Sequence, residues 1–138
     1  MLNLILHRSR QSVPEAKLEL ETEVAEQSDY YQRFKVGLSV EPFRRITNLT
    51  APFQKQNGTS RRLKKLNRTY RWDPPSLAGI LLLLHAPDVK SGQDAEHELI
   101  LHLREVCDRY GVQCMNETDG REGRRGSPRE RFVYLVWA

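Results

Sequence analysis

The residues able to do chemistry gather in three places along the 138-residue chain. The first is a strand-like run, Phe34-Lys35-Val36-Gly37-Leu38-Ser39-Val40, that leads directly into Glu41-Pro42-Phe43-Arg44-Arg45-Ile46. Proline suits the first turn of a helix, so a helix opens there. Glycine weakens a strand interior, which makes Gly37 a place where something approaches the backbone closely. Arg45 stands eight residues beyond it, where a guanidinium can reach back over the strand end and grip a phosphate with two hydrogen bonds. The alternative is that Arg44 and Arg45 are ordinary exposed helix residues. The second place is a helix over 93–110, on which Asp94, Glu98, His102 and Glu105 share one face at steps of three or four. This stripe borders the packing arc of Ala95, Leu99, Leu103, Val106 and Tyr110. One carboxylate, with water and a substrate phosphate, is a usual way of holding Mg²⁺, while a solvated helix face is the competing reading of the same stripe. The third is Glu130-Arg131-Phe132-Val133-Tyr134-Leu135, a terminal strand with an aromatic side chain available for packing.

Charge is distributed unevenly behind a formal net value of +4. Between Pro42 and Trp72 there is no acid, and the same stretch holds Arg44, Arg45, Lys55, Arg61, Arg62, Lys64, Lys65, Arg68 and Arg71. Basic groups gathered in this way neutralise phosphates and release counterions, giving salt-sensitive binding to nucleic acid. DNA is the expected partner, with RNA as a second candidate; a solvated face that binds nothing in particular is the alternative. Arg121, Arg124, Arg125, Arg129 and Arg131 form a second basic cluster, and Glu15 to Asp29 is acidic.

These groups need a frame. Leu2 to Leu6 has the look of a short buried strand. Lys17 to Val24 alternates polar and apolar residues, which predicts a half-exposed strand with Leu18, Leu20 and Val24 inward, although its glutamates after Pro14 also suit a helix. Phe34 to Val40 pairs with it as a hairpin across Glu26 to Gln32. A helix follows over 41–50 and ends at Pro52, and Ser60 to Arg68 is a candidate short basic helix. Leu77 to Leu84 is a central strand, and the helix over 93–110 stops at Gly111. Val112 to Met115 is a short strand, 116–129 a mobile loop rich in Gly, Arg and Glu, and Arg131 to Trp137 the last strand. The expected fold class is α+β: one domain over 1–138, with 1–16 as an N-terminal extension. In it a small, mostly antiparallel sheet of three to five strands is covered by the helices at 41–50 and 93–110.

The block Lys35-Val36-Gly37-Leu38-Ser39, then Glu41-Pro42, then Arg45 resembles the second half of the GIY-YIG nuclease motif. It is most similar to a divergent phage and bacterial subgroup with lysine at the YIG tyrosine. Leu77 to Leu84, Glu98-Leu99-Ile100-Leu101-His102 and Glu130-Arg131-Phe132 follow in that subgroup's order, so the resemblance spans roughly 17–138. It implies metal-dependent hydrolysis of a nucleic-acid phosphodiester. Glu98 would be the Mg²⁺ ligand, Arg45 the phosphate clamp, Gly37 the point of close backbone approach, His102 a support and Lys35 added positive charge. The chain departs from the family in its first strand, where neither Leu2 to Leu6 nor Lys17 to Val24 carries the expected tyrosine. Tyr30, Tyr31 and Tyr70 are the substitutes on offer. Without one, the implied function is a module of the same fold that binds DNA or RNA through its basic segment without cutting it. A third reading pairs the acidic and basic segments with each other, within the chain or across a dimer.

Other chemistries are poorly served. Cys107 and Cys114 have six residues between them, which is neither CxxC nor a disulfide framework, so two thiols in a reducing cytoplasm are expected. His85, His97 and His102 lack paired-ligand spacing with them, which argues against structural zinc. Gly120, Gly123 and Gly126 lack a preceding apolar strand and do not make a phosphate loop. Asn48, Asn57, Asn67 and Asn116 begin Asn-x-Thr triplets, read here as chance or as polar turns. No apolar run approaches the roughly 20 residues of a membrane span, so no membrane partner is expected.

Overall fold

The computed structural model describes residues 3–5, 12–39, 78–120 and 131–138. Among the described residues, five strands and two helices follow one another: β1 (Asn3–Ile5), α1 (Val13–Gln27), β2 (Arg33–Ser39), β3 (Gly79–Ala86), α2 (Val89–Tyr110), β4 (Gln113–Cys114) and β5 (Arg131–Trp137). The strands form one five-stranded sheet in the order β1-β3-β5-β2-β4. β1 runs parallel to β3, and β4 parallel to β2, while β5 runs antiparallel to both β2 and β3. The architecture is therefore α+β with a mixed sheet, antiparallel along its two long central ladders and parallel along the short ladders at both edges. β5 lies at its centre, and the predicted central strand, here β3, is interior beside it. The β5 side chains from Val133 to Trp137 are all buried.

The acidic segment is a helix, which overturns the predicted strand over Lys17 to Val24 and its hairpin. Ser12 caps α1 and Glu15 reaches back to the Ser12 N–H, a capping box in which the Ser12 contacts hold the Glu15 carboxyl below its ordinary range. The buried residues are Ala16, Leu20, Glu23 and Val24, whereas Leu18 is 66% exposed. The stretch read as an N-terminal extension thus supplies an edge strand and the first turn of α1. The predicted helix at 93–110 starts a full turn earlier, where Asp88 Oδ1 accepts the Ser91 N–H at 2.8 Å. It ends at Gly111, whose φ of 68° places it in the left-handed region that glycine adopts most readily. The helix predicted over 41–50 and the basic helix at Ser60 to Arg68 lie outside the described residues.

Both helices pack on one face of the sheet. Ala16, Leu20 and Val24 of α1 join Leu99, Leu103 and Val106 of α2 over Phe34, Val36, Leu81, Leu135 and Trp137. Trp137 is 1% exposed and is the largest fully buried side chain among the described residues. β3 carries an irregularity between Leu82, opposite Tyr134, and Leu84, opposite Val133. That extra residue shifts the alternation, so Leu84 and Ala86 follow Leu81 onto the helix face and His85 turns to the other.

The start of the predicted loop at 116–129 is pinned. Asn116 Oδ1 accepts the Val36 N–H at 2.9 Å and its Nδ2 donates to the Val36 carbonyl at 2.8 Å. One side-chain amide thereby pairs both backbone groups of a strand residue beyond the end of β4. Residues 121–130 lie outside the described ones.

Two predictions follow from these contacts. Asn116→Ala leaves the Val36 backbone groups unpaired and lowers stability by about 1–3 kcal/mol, measured by urea unfolding. Glu23, 7% exposed, has its carboxyl raised above the ordinary range by burial, opposed by the Gln27 hydrogen bond. The folded chain then holds this proton more tightly than the unfolded one, so stability falls as pH rises from about 4.3 through the raised value. Glu23→Gln should remove that fall, raising the urea midpoint at pH 7 and changing it less at pH 4.

Candidate functional site

The acidic stripe of α2 lies along its boundary with α1. Glu98, with its side chain 54% exposed, pairs with Lys17 of α1 at 3.6 Å. His102 Nε2 lies 3.5 Å from Glu21 Oε1, and its Nδ1 lies 4.0 Å from Glu105. The Nε2 atom is buried without a hydrogen bond, so the Glu21 contact is one of proximity and not of hydrogen-bonding geometry. Glu21 also accepts a hydrogen bond from Arg109 at 3.1 Å. Acids and bases here neutralise one another between two helices. Among the described residues no three His, Cys, Asp or Glu side chains converge as a metal-binding group.

Lys35 and Gly37 face elsewhere. Phe34 and Val36 lie in the helix-side core, and side chains alternate along a strand, so Lys35, Gly37 and Ser39 belong to the opposite face. Gly37 is paired with Tyr134 of β5, whose ring lies across it: a Cβ added at Gly37 would stand 2.5 Å from the ring carbon bearing the hydroxyl. Close approach at Gly37 thus comes from the protein's own side chain. Next along this face, opposite Ser39, the Phe132 ring stacks on His85 with centroids 4.7 Å apart and planes 13° from parallel. Lys35, Ser39 and the stacked pair of His85 and Phe132 thus share one sheet face.

The structure thus brings Lys35 and Gly37 together and places Glu98 and His102 on the helix side. Arg45 lies outside the described residues, as do Arg44, Arg61, Arg62, Lys64, Lys65, Arg68 and Arg71. Of the substitute tyrosines, Tyr30 is 78% exposed after α1, Tyr31 packs against the helix-side core, and Tyr70 is outside the described residues. Tyr134 was not among them. The signal for it was indirect: a glycine in mid-strand needs a bulky neighbour across the ladder, and β5 is rich in large side chains. No helix among the described residues is long and apolar enough to cross a membrane. Comparison with protein-family models, curated proteins and solved structures gave no match.

If Glu98 serves chiefly as a surface partner of Lys17, a double-mutant cycle with Lys17→Gln and Glu98→Gln should give a coupling of at most about 1 kcal/mol. The check is urea unfolding at low and high salt, with the coupling shrinking at high salt.

Proposed function

We propose that the chain is a nucleic-acid-binding module that contacts phosphates through its basic segment at 44–71 and does not cleave its ligand. The observation that carries this reading is the run from Pro42 to Trp72, with nine lysines and arginines and no acid. Several phosphate contacts made together give an affinity dominated by counterion release, and no metal is required. The resemblance to GIY-YIG nucleases supports a nucleic-acid ligand. Hydrolysis in that manner would require Glu98 to be free to hold a metal, and Glu98 instead pairs with Lys17 of α1. The acidic segment has partners of its own in Ser12, Arg109 and Gln27, which weakens a reading in which it exists to pair with the basic one.

The test is titration of labelled duplex and single-stranded DNA and RNA at rising salt, with and without Mg²⁺. Binding should occur without metal, and log K should fall linearly with log salt. Reversing Arg61, Arg62, Lys64 and Lys65 to Glu should flatten the slope by about 3–4 on duplex DNA. Unchanged affinity in that variant would remove the segment as the contact surface. Mg²⁺-dependent nicking lost in both Glu98→Gln and Arg45→Ala would overturn the non-cleaving part and establish the hydrolytic alternative.

A further inference from the structure

The sheet face turned away from α1 and α2 is itself buried. Leu81, Leu135 and Trp137 belong to the helix-side core, and side chains alternate along a strand, so Ile80, Tyr134 and Val136 point to the opposite face. All three are 0% exposed and stand outside the helix-side core. They adjoin one another across the ladders: Val136 is opposite Ile80 of β3 and Lys35 of β2, and Tyr134 is opposite Leu82 and Gly37. A fully buried side chain is packed by neighbours on every side. Both described helices lie on the other face, so the cover over these three residues comes from another part of the chain or from a partner.

Topology points to the part of the chain that supplies it. β1, β2, β3 and β4 all run in one direction, opposite to β5. The connections from β1 to β2 and from β3 to β4 each advance three places along the strand order, and their helices share one face. The connection from β2 to β3 goes back two places. Crossovers between parallel strands keep a right hand, so one that moves in the reverse direction passes over the reverse face. This connection leaves after Ser39, which is paired with Phe132 at one end of β5. It arrives at Ala78, whose N–H donates to the Trp137 carbonyl at the other end. Its path therefore runs along β5 as well as across it, over Tyr134 and Val136. A parallel crossover needs about a dozen residues or more, and residues 40–77 exceed that. The same residues carry apolar side chains for one side, Phe43, Ile46 and Leu49 among them, and basic ones for the other.

We propose that residues 40–77 of this chain dock on the second sheet face, with Phe43, Ile46 and Leu49 against Ile80, Tyr134 and Val136 and with their lysines and arginines turned outward. The molecule then has two electrically opposite sides, the acidic α1 on one and the basic crossover on the other. For its ligand this rests on the reading of the basic segment as phosphate-binding: nucleic acid meets the sheet side, with the sheet and its core between the phosphates and the carboxylates of α1. Separation of like charges in this way favours approach from one side only.

The experiment treats the full chain, mixed from light and heavy isotopic forms, with a short-armed amine cross-linker and maps the linked peptides. Lys35 reports on the sheet side, Lys17 of α1 on the helix side, and Lys55, Lys64 and Lys65 on the segment. Lys35 should link within one molecule to the segment lysines, and Lys17 should not. Segment links confined to Lys17, or no link from Lys35, overturn the placement. Lys35 links that join light to heavy chains overturn it in favour of a second copy as the occupant. In the triple variant Phe43→Ser, Ile46→Ser, Leu49→Ser, tetranitromethane should nitrate Tyr134, which the wild type protects, while Tyr31 on the helix side keeps its wild-type labelling. A Tyr134 still protected there overturns the apolar packing, and where this variant fails to fold the cross-links decide alone. Duplex DNA should shield Lys55, Lys64 and Lys65 from acetylation and leave Lys17 as reactive as before; equal shielding of Lys17 overturns the sheet-side approach. The expected cross-links without any DNA binding would end the phosphate-binding reading and uphold the placement.

Discussion

The backbone ladders on either side of β5 hold this architecture together. β1 and β3 form one parallel pair and β2 and β4 another, and neither pair touches the other within the sheet. β5 joins them by antiparallel pairing from Phe34 to Ser39 on one side and from Gly79 to Ala86 on the other. The two crossovers that carry helices are alike: β1 leads through α1 to β2, and β3 through α2 to β4, each moving the same number of strand places in the same direction. Two interleaved β-α-β units result, with the gap between them closed by a strand of opposite direction. Having both helices on one face follows from this, because parallel crossovers in one direction share a hand.

Much of this was legible locally. The continuous apolar runs at β3 and β5, the stretch around Gly37 and the Gly111 stop all signalled their elements. α1 was misread because a period of two contains a period of four. Leu18, Leu20 and Val24 satisfy strand alternation, whereas Ala16, Leu20 and Val24 satisfy a helical stripe, and the capping box from Ser12 to Glu15 favours the second. The central place of β5 was not legible, because strand order depends on pairing between residues far apart in sequence. Nor was the role of Asn116, whose amide stands in for a strand backbone only once β2 is beside it.

The candidate site divides in the same way. Helical spacing correctly gathered Glu98, His102 and Glu105 on one face, but spacing does not say what that face meets. It meets another helix, with Lys17 and Glu21 opposite. At Gly37 the need for space was readable, and its occupant was not: the ring belongs to Tyr134, some hundred residues away. Charge was the more robust signal, since the basic run at 42–72 is a property of composition and needs no partner element to be recognised.

The position of β5 also bears on biosynthesis. A ribosome delivers residues from amino to carboxyl end, so the four outer strands exist as nascent polypeptide before the strand that unites them. Until Arg131 to Trp137 emerges, one edge each of β2 and β3 waits with unmet amide and carbonyl groups. Such edges readily recruit foreign strands, and they are open here at the stage when many growing copies crowd a polysome. The architecture therefore places its greatest hazard of misassembly late in translation, and favours cells that shield the emerging polypeptide until its keystone arrives.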